Sequence, residues 1–409
     1  MKVGFYIGDV DLRSGGIAPY AQRVLSALAA HPFSSDVELC VIGRQAPTTF
    51  GLGLPFIGVP VKFKPPRIER LRRRAVDAYN ILTGNEFDSN RHDASYSLGA
   101  FLDELNLDVL HVPYQVPPSY ELNVPLAVTM HDVQEIHLPQ FFTAEDRRDR
   151  AIWHLRAIRQ AAVVVVSFEH VKQDLIRYFS CPEEQVVVVP LPIEQCSLQS
   201  PSPAESKQYR QKYARYPDFF LYPAQTWEHK NHLRLIEAFG VVRRRTGRPL
   251  SLICTGRKNG FYSRIESTLR DSPVADQILF TDVVPEVELR WLYERCLGVV
   301  IPTLYEAGSF PLIEAMQIGA AVVCAEITSL PETIGDRQFL FDPRGVEQIA
   351  TAMTRLASDA AYRDASIANG QRRLIALSQQ DVGAHYEALW RKAARRDVEL
   401  DGTIHRMCA

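Results

Sequence analysis

Short β-branched and apolar runs alternate with amphipathic, helix-length stretches along nearly the whole chain, and that alternation restricts it to parallel α/β architecture. The candidate strands fall into two series. The first comprises Val3–Ile7, Val37–Ile42, Val109–Val112, Leu126–Met130, Val163–Val166 and Val186–Val189. The second comprises Phe219–Pro223, Leu250–Thr255, Ile278–Thr281, Leu297–Ile301, Ala321–Cys324 and Phe339–Phe341. Between them lies a stretch rich in Pro, Ser and Gln that reads as a linker. At 409 residues the chain exceeds what one core holds, so each series is expected to build its own Rossmann-like sheet. The expected organisation is a first domain over 1–190, a linker over 191–218, a second domain over 219–370 and a closing helical segment over 371–409.

Composition narrows the function. A formal charge of −2 gives no global electrostatic case for nucleic acid. The 7 cysteines are scattered, odd in number and free of C-x-x-C pairs, so neither a disulfide framework nor structural zinc is expected. The N-terminus reads as a strand and not as a signal peptide, and the longest fully apolar run, Ala161 to Val166, is far short of a membrane span. The reading is of a soluble cytoplasmic protein.

The most informative segment for function runs from Pro302 to Met316. A buried strand leads into a loop holding Gly308 and Ser309, and then into a helix with Pro311 in its first turn. A small-residue loop before a helix N-terminus presents backbone amides to an anion, usually a phosphate. Glu306 and Glu314 flank that loop, and carboxylates would repel a phosphate. They suit hydroxyl-rich groups attached to phosphates, a ribose on one side and a sugar on the other. As structure alone, Glu314 would be a helix first-turn acid favoured by the dipole. A capping box on Ser309 would need an acid at 312, where Leu312 stands.

Other strand ends carry candidates. After the first strand, Gly15-Gly16 lets backbone approach a ligand near a helix start, or forms a plain surface turn. It does not fit G-x-G-x-x-G, which weakens a nicotinamide reading. Asp9 and Asp11 read as polar loop residues. His131-Asp132 follows Leu126–Met130, where a histidine can hydrogen-bond a sugar hydroxyl, while Asp132 reads as a cap. In the second half, Lys230 precedes a helix starting near Asn231, where an ammonium would raise the potential at a departing diphosphate. Arg257 and Lys258 follow Gly256 at the next strand end, and Thr281 to Pro285 ends another. His229 and His232 flank Lys230, but the ammonium makes a poor metal site, so no metal is assigned. The stretch Lys62–Arg74 holds 7 cations against one acid with Phe63, Ile68 and Leu71 interleaved. It reads either as a patch for anionic membrane or as a solvated face.

Glu306 and Glu314, with 7 residues between them including Phe310, resemble the E-x7-E motif of the retaining, family 4 type glycosyltransferases of GT-B fold (glycosyl transferases group 1). The resemblance extends over most of the chain. It implies two Rossmann-like domains facing across a cleft, the first on the acceptor side and the second binding a nucleotide sugar, with the terminal helix crossing back. It further implies catalytic roles for Glu306, His131 and Lys230. Donor contacts would come from Gly16, Gln225, Lys230, Arg257, Lys258, Val284, Gly308, Ser309, Phe310 and Glu314. Gln225 departs from the family, in which an arginine is common there, so Lys230 is expected to carry more of the phosphate charge, or Arg257 or Lys258 to assist. The donor reads first as GDP-mannose for a bacterial surface polysaccharide, with UDP-sugars open, no metal or other cofactor, and a saccharide or lipid-linked acceptor. Two rivals stand beside it. One is a glycoside hydrolase using Glu306 and Glu314; the other is a non-catalytic GT-B-like assembly or lectin subunit.

Overall fold

The structure is a computed structural model and describes residues 1–8, 17–44, 52–60, 93–118, 122–193 and 198–407, with side chains left out at 17, 93–97 and 396–407. Gly16, Asp9, Asp11 and the Lys62–Arg74 stretch lie outside the described residues. The chain divides into two compact units.

The first unit takes residues 1–132, 144–192 and 381–409. Its sheet has 7 parallel strands: β1 (Lys2–Gly8), β2 (Glu38–Gly43), β3 (Phe56–Gly58), β4 (Val109–Val112), β5 (Leu126–Thr129), β6 (Ala161–Val166) and β7 (Val186–Val188). They are ordered β3-β2-β1-β4-β5-β6-β7, so the winding reverses beside β1. Val3 of β1 lies opposite Leu39 on one side and opposite Val109 on the other. β3 escapes the sequence pattern because it is a 3-residue edge strand set among prolines and glycines. The terminal helix Val382–Met407 belongs to this unit and begins 11 residues later than 371, because Ala360–Ser378 is a separate helix of the second unit. Trp390 is fully buried against the sheet, its indole N–H donating to His111 Nδ1 at 3.1 Å. The Tyr386 and Tyr20 hydroxyls meet at 2.9 Å.

The second unit takes residues 133–143 and 193–380. Its 6 parallel strands are β8 (Asp218–Pro223), β9 (Leu250–Thr255), β10 (Ile278–Phe280), β11 (Gly298–Ile301), β12 (Val322–Ala325) and β13 (Leu340–Phe341), ordered β10-β9-β8-β11-β12-β13. The winding reverses between β8 and β11, where Leu221 lies opposite both Ile253 of β9 and Val299 of β11.

Two boundaries depart from the sequence reading. The segment 191–218 is not a plain linker. Ser202 and Glu205 form a reciprocal capping box for the helix Pro203–Lys212, and Tyr209 and Tyr213 are buried in the second core. Its high polarity reflects a surface helix with one aromatic edge turned inward. The segment Val133–Thr143 also belongs to the second unit, although its sequence neighbours lie in the first. There the Val133 N–H meets the Tyr305 hydroxyl at 3.3 Å, and the His137 ring lies 5.5 Å from the Tyr305 ring.

Candidate active site

In doubly wound sheets, loops at the carboxyl ends of the two strands flanking the reversal splay apart and leave room for a ligand. In the second unit those are the loops after β8 and β11, and they carry Lys230 and Glu306. The two loops are laced together by backbone and by Asn231. The Leu304 N–H donates to the His229 carbonyl at 2.7 Å, and the Thr303 hydroxyl reaches the same oxygen at 3.2 Å. Asn231 sits in the left-handed region (φ 64°), which asparagine tolerates better than most side chains. From there its amide donates to the carbonyls of Pro302 and Pro343, each at 2.8 Å.

This lacing brings the Lys230 ammonium to 2.7 Å and 3.0 Å from the two Glu306 carboxylate oxygens. The side chains are only 18% and 11% exposed, so the pair is shielded without being sealed. Glu306 is held from behind. The Thr328 hydroxyl accepts from its N–H at 3.1 Å and donates to its carbonyl at 2.7 Å, and Ser329 donates to that carbonyl at 3.0 Å. Thr328 itself has φ 44° and ψ −119°, a costly conformation for a β-branched residue and one that clusters at functional sites.

Beyond Glu306 the chain turns into the helix Phe310–Ile318. Ser309 is its N-cap, with Oγ accepting from the Leu312 N–H at 3.4 Å. The serine hydroxyl is therefore spent on the Leu312 N–H and Pro311 has no N–H, so an anion would be met by the backbone amides at the entry to the helix, Gly308 to Phe310. Glu314 lies half-buried one turn further on, and its Oε2 accepts from the Tyr293 hydroxyl at 2.8 Å.

The neighbouring loops are built tightly. Gly256 after β9 has φ 118°, and a Cβ there would stand 2.6 Å from the Ala224 carbonyl carbon, so only glycine fits. Gln225 is exposed and accepts from the Trp227 indole at 3.1 Å. Arg257 is exposed, and its carbonyl accepts from the Thr226 N–H at 3.1 Å. The Lys258 ammonium lies 4.5 Å from the centre of the Tyr262 ring, a cation–π contact that draws it away from a role beside Lys230. Val284 is half-buried against the core, behind a turn in which Asp282 caps the Val283 N–H at 2.8 Å.

Both histidines beside Lys230 are neutral. Burial, then the lysine charge, pushes His229 and His232 down to about 3. Among the described residues no three His, Cys, Asp or Glu side chains converge as a metal cluster would require. A cavity of about 290 Å³ opens at the opposite, amino ends of β11 and β12, beside Leu297 and Ala321, and holds none of the candidate residues.

His131 belongs to the first unit, whereas the lysine and glutamates belong to the second. Its Nε2 donates to the Pro113 carbonyl at 2.9 Å, and its ring packs edge-on against Tyr20 at 4.6 Å. Burial lowers its pKa, against an opposing pull from that carbonyl and Asp132. With Nε2 carrying the proton, Nδ1 is left as an acceptor, able to take a hydroxyl hydrogen. The N-cap of the next helix is Val133, which makes no side-chain capping bond. Sequence reasoning passed over Asn231, Thr328 and Tyr293. An asparagine directly before a helix was a usable signal for the first; the other two act across long sequence gaps.

The description "glycosyl transferases group 1" matches residues 205–373, and "glycosyl transferase 4-like domain" matches residues 15–192. The O-antigen chain mannosyltransferase B of Escherichia coli is 26% identical over 243 residues, covering 59% of this chain and 64% of that protein. The serotype-specific mannosyltransferase WbdA of Escherichia coli is 27% identical over 201 residues, 49% of this chain and 21% of that protein. The chain thus spans less than two thirds of the length of either relative. Sucrose-phosphate synthase from Thermosynechococcus elongatus superposes with a TM-score of 0.68 over 96% of this chain and 98% of its own, at 17% identity, a likeness of fold.

Proposed function

The chain belongs to the glycosyl transferases group 1 family and has the GT-B fold, and on that premise we propose that it is a hexosyltransferase that moves mannose from GDP-mannose to a saccharide or lipid-linked saccharide with retention of anomeric configuration. One observation carries the reading: Lys230 and Glu306 meet at the sheet reversal, beside a helix N-terminus that carries a second glutamate. Departure of a nucleoside diphosphate leaves negative charge on phosphate and positive charge on the sugar. Lys230 and the amides of Gly308 to Phe310 stabilise the leaving group, and preorganised donors of this kind supply the largest catalytic contributions. Glu306 accepts from hydroxyls of the transferred sugar, Glu314 from the ribose, and His131 from a sugar hydroxyl through Nδ1. Protein cations and amides neutralise the phosphates, so the reaction needs no metal. Mannose is supported by the two mannosyltransferases that the chain resembles.

A hydrolase acid must lend a proton to the leaving oxygen. Glu306 instead engages an ammonium with both oxygens, which fits a transferase better. The reading includes a cytoplasmic location with peripheral attachment to anionic membrane through Lys62–Arg74, supported by that stretch's 7 cations. No helix among the described residues is long and apolar enough to cross a membrane.

The test is a thermal-shift panel of GDP, UDP, ADP and TDP, followed by transfer assays with the matching mannosyl and glucosyl donors. GDP should stabilise most and GDP-mannose should be turned over. Stabilisation by UDP alone would overturn the donor assignment, and no response or turnover with any of the four would favour a non-catalytic role.

A further inference from the structure

Thr328 holds a conformation that its side chain resists. With φ 44° and ψ −119° it lies near the first central position of a type II′ turn, which glycine dominates and a β-branched residue reaches only under strain. It is also the N-cap of the helix Ser329–Ile334, where a threonine hydroxyl ordinarily accepts from a first-turn N–H, yet it makes no capping bond. The hydroxyl goes instead to Glu306, 22 residues away, accepting from its N–H at 3.1 Å and donating to its carbonyl at 2.7 Å. The buried Ser329 hydroxyl donates to the same carbonyl at 3.0 Å.

We propose that Thr328 is a positioning residue for the transfer step, holding the Glu306 backbone so that its carboxylate stays aimed at the transferred sugar while a diphosphate draws on Lys230. A strained backbone persists only where its surroundings over-determine it, and what threonine adds here over glycine is the hydroxyl. Thr328 and Ser329 together engage the peptide groups on both sides of the Glu306 Cα, which fixes the direction of its Cα–Cβ bond. The stretch 302–309 has no helix or strand of its own to do this. Lys230 steadies the carboxylate from the other end, at 2.7 Å and 3.0 Å, but phosphate competes for that ammonium. The hold on the backbone does not depend on it. The inference rests on Glu306 meeting the transferred sugar.

The test measures transfer from GDP-mannose, GDP binding by calorimetry and thermal denaturation for wild type, Thr328→Ser, Thr328→Gly, Thr328→Val and Glu306→Gln. UDP-glucose and UDP replace them if that is the donor wild type turns over. Thr328→Gly relieves the backbone but removes the hydroxyl. It should melt within a few degrees of wild type and bind the nucleotide equally well, since Lys230 and the helix-entry amides are untouched. Its kcat should fall by about 10–100-fold, the scale of a misplaced group, with the loss in kcat and not in KM. Thr328→Val keeps the strain without the hydroxyl and should show the same kcat loss at a lower melting temperature. Thr328→Ser keeps the hydroxyl and should restore kcat to within about twofold of wild type. A residue serving the fold alone would give the opposite order, glycine matching or surpassing threonine in kcat as well as in melting temperature. Wild-type kcat in Thr328→Gly, with Glu306→Gln impaired, would overturn the role of Thr328 and leave that of Glu306 standing. Full transfer by Glu306→Gln would remove the sugar role of Glu306 and this inference with it.

Discussion

The Lys230 ammonium lies 2.7 Å from one Glu306 carboxylate oxygen and 3.0 Å from the other, across 76 residues of sequence. Each group is the other's counter-ion, so neither sits in this partly shielded place as a bare charge. A diphosphate and a sugar arriving together would divide the pair's duties, the ammonium turning to phosphate and the carboxylate to hydroxyls.

Lys230→Ala should cut kcat by about 10²–10³-fold, the scale for losing one preorganised oxyanion partner. The loss should show in kcat and not only in KM, because diphosphate charge grows toward the transition state. Steady-state transfer kinetics decide it. Near wild-type kcat would move the role to Arg257, since Lys258 is engaged with Tyr262.

Glu306→Gln should separate binding from transfer. The amide keeps the shape but removes the charge competing for Lys230, so calorimetry should show GDP binding as tight as wild type or tighter. Transfer should fall by at least about tenfold through lost charged hydrogen bonds to the sugar. Weaker GDP binding together with unchanged transfer would contradict both assignments.

Asn231→Ala should destabilise the second unit by about 2–4 kcal/mol, from two lost amide bonds and a left-handed backbone that alanine resists. Asn231→Gly removes the bonds but relieves the backbone, so its urea midpoint should fall between alanine and wild type. Equal midpoints for all three would show that the clamp contributes nothing.

Acid should unfold the protein through its buried histidines. Burial holds His111 and His232 down to about 3 in the fold, whereas an unfolded histidine titrates near 6.5. Above about 6.5 neither state is protonated there, and stability is unaffected. Below it the unfolded chain takes up protons that the fold refuses, so stability falls as pH drops from about 6.5 toward 3. At pH 5 each such residue costs about 2 kcal/mol. His232 packs between the Tyr222 and Phe280 rings at 4.9 Å and 5.6 Å, with neither nitrogen hydrogen-bonded, so His232→Phe fits the site. That variant should show a shallower acid limb in denaturation midpoints against pH; an unaltered slope would show that His232 does not contribute.

The chain's periodicity by itself determined that two parallel sheets would form and where most strands lie, because a strand buried on both faces must be apolar throughout and the intervening helices must not be. It also placed Lys230, Glu306 and Glu314 at strand ends and helix starts, since glycine, proline and polar residues punctuate those points locally. Partners were another matter. Which strands neighbour one another depends on sheet order, and only the reversal between β8 and β11 brings two loops 76 residues apart into one site. Tyr293, beside Trp291 and Leu292 on the buried face of a charged helix, reads as core, and nothing nearby in sequence announces that its hydroxyl meets Glu314. The polar composition of 191–218 suggested a linker, but two aromatics suffice to dock a surface helix. Val133–Thr143 packs in the second unit through Tyr305, a contact between residues far apart in the chain that only the folded structure specifies.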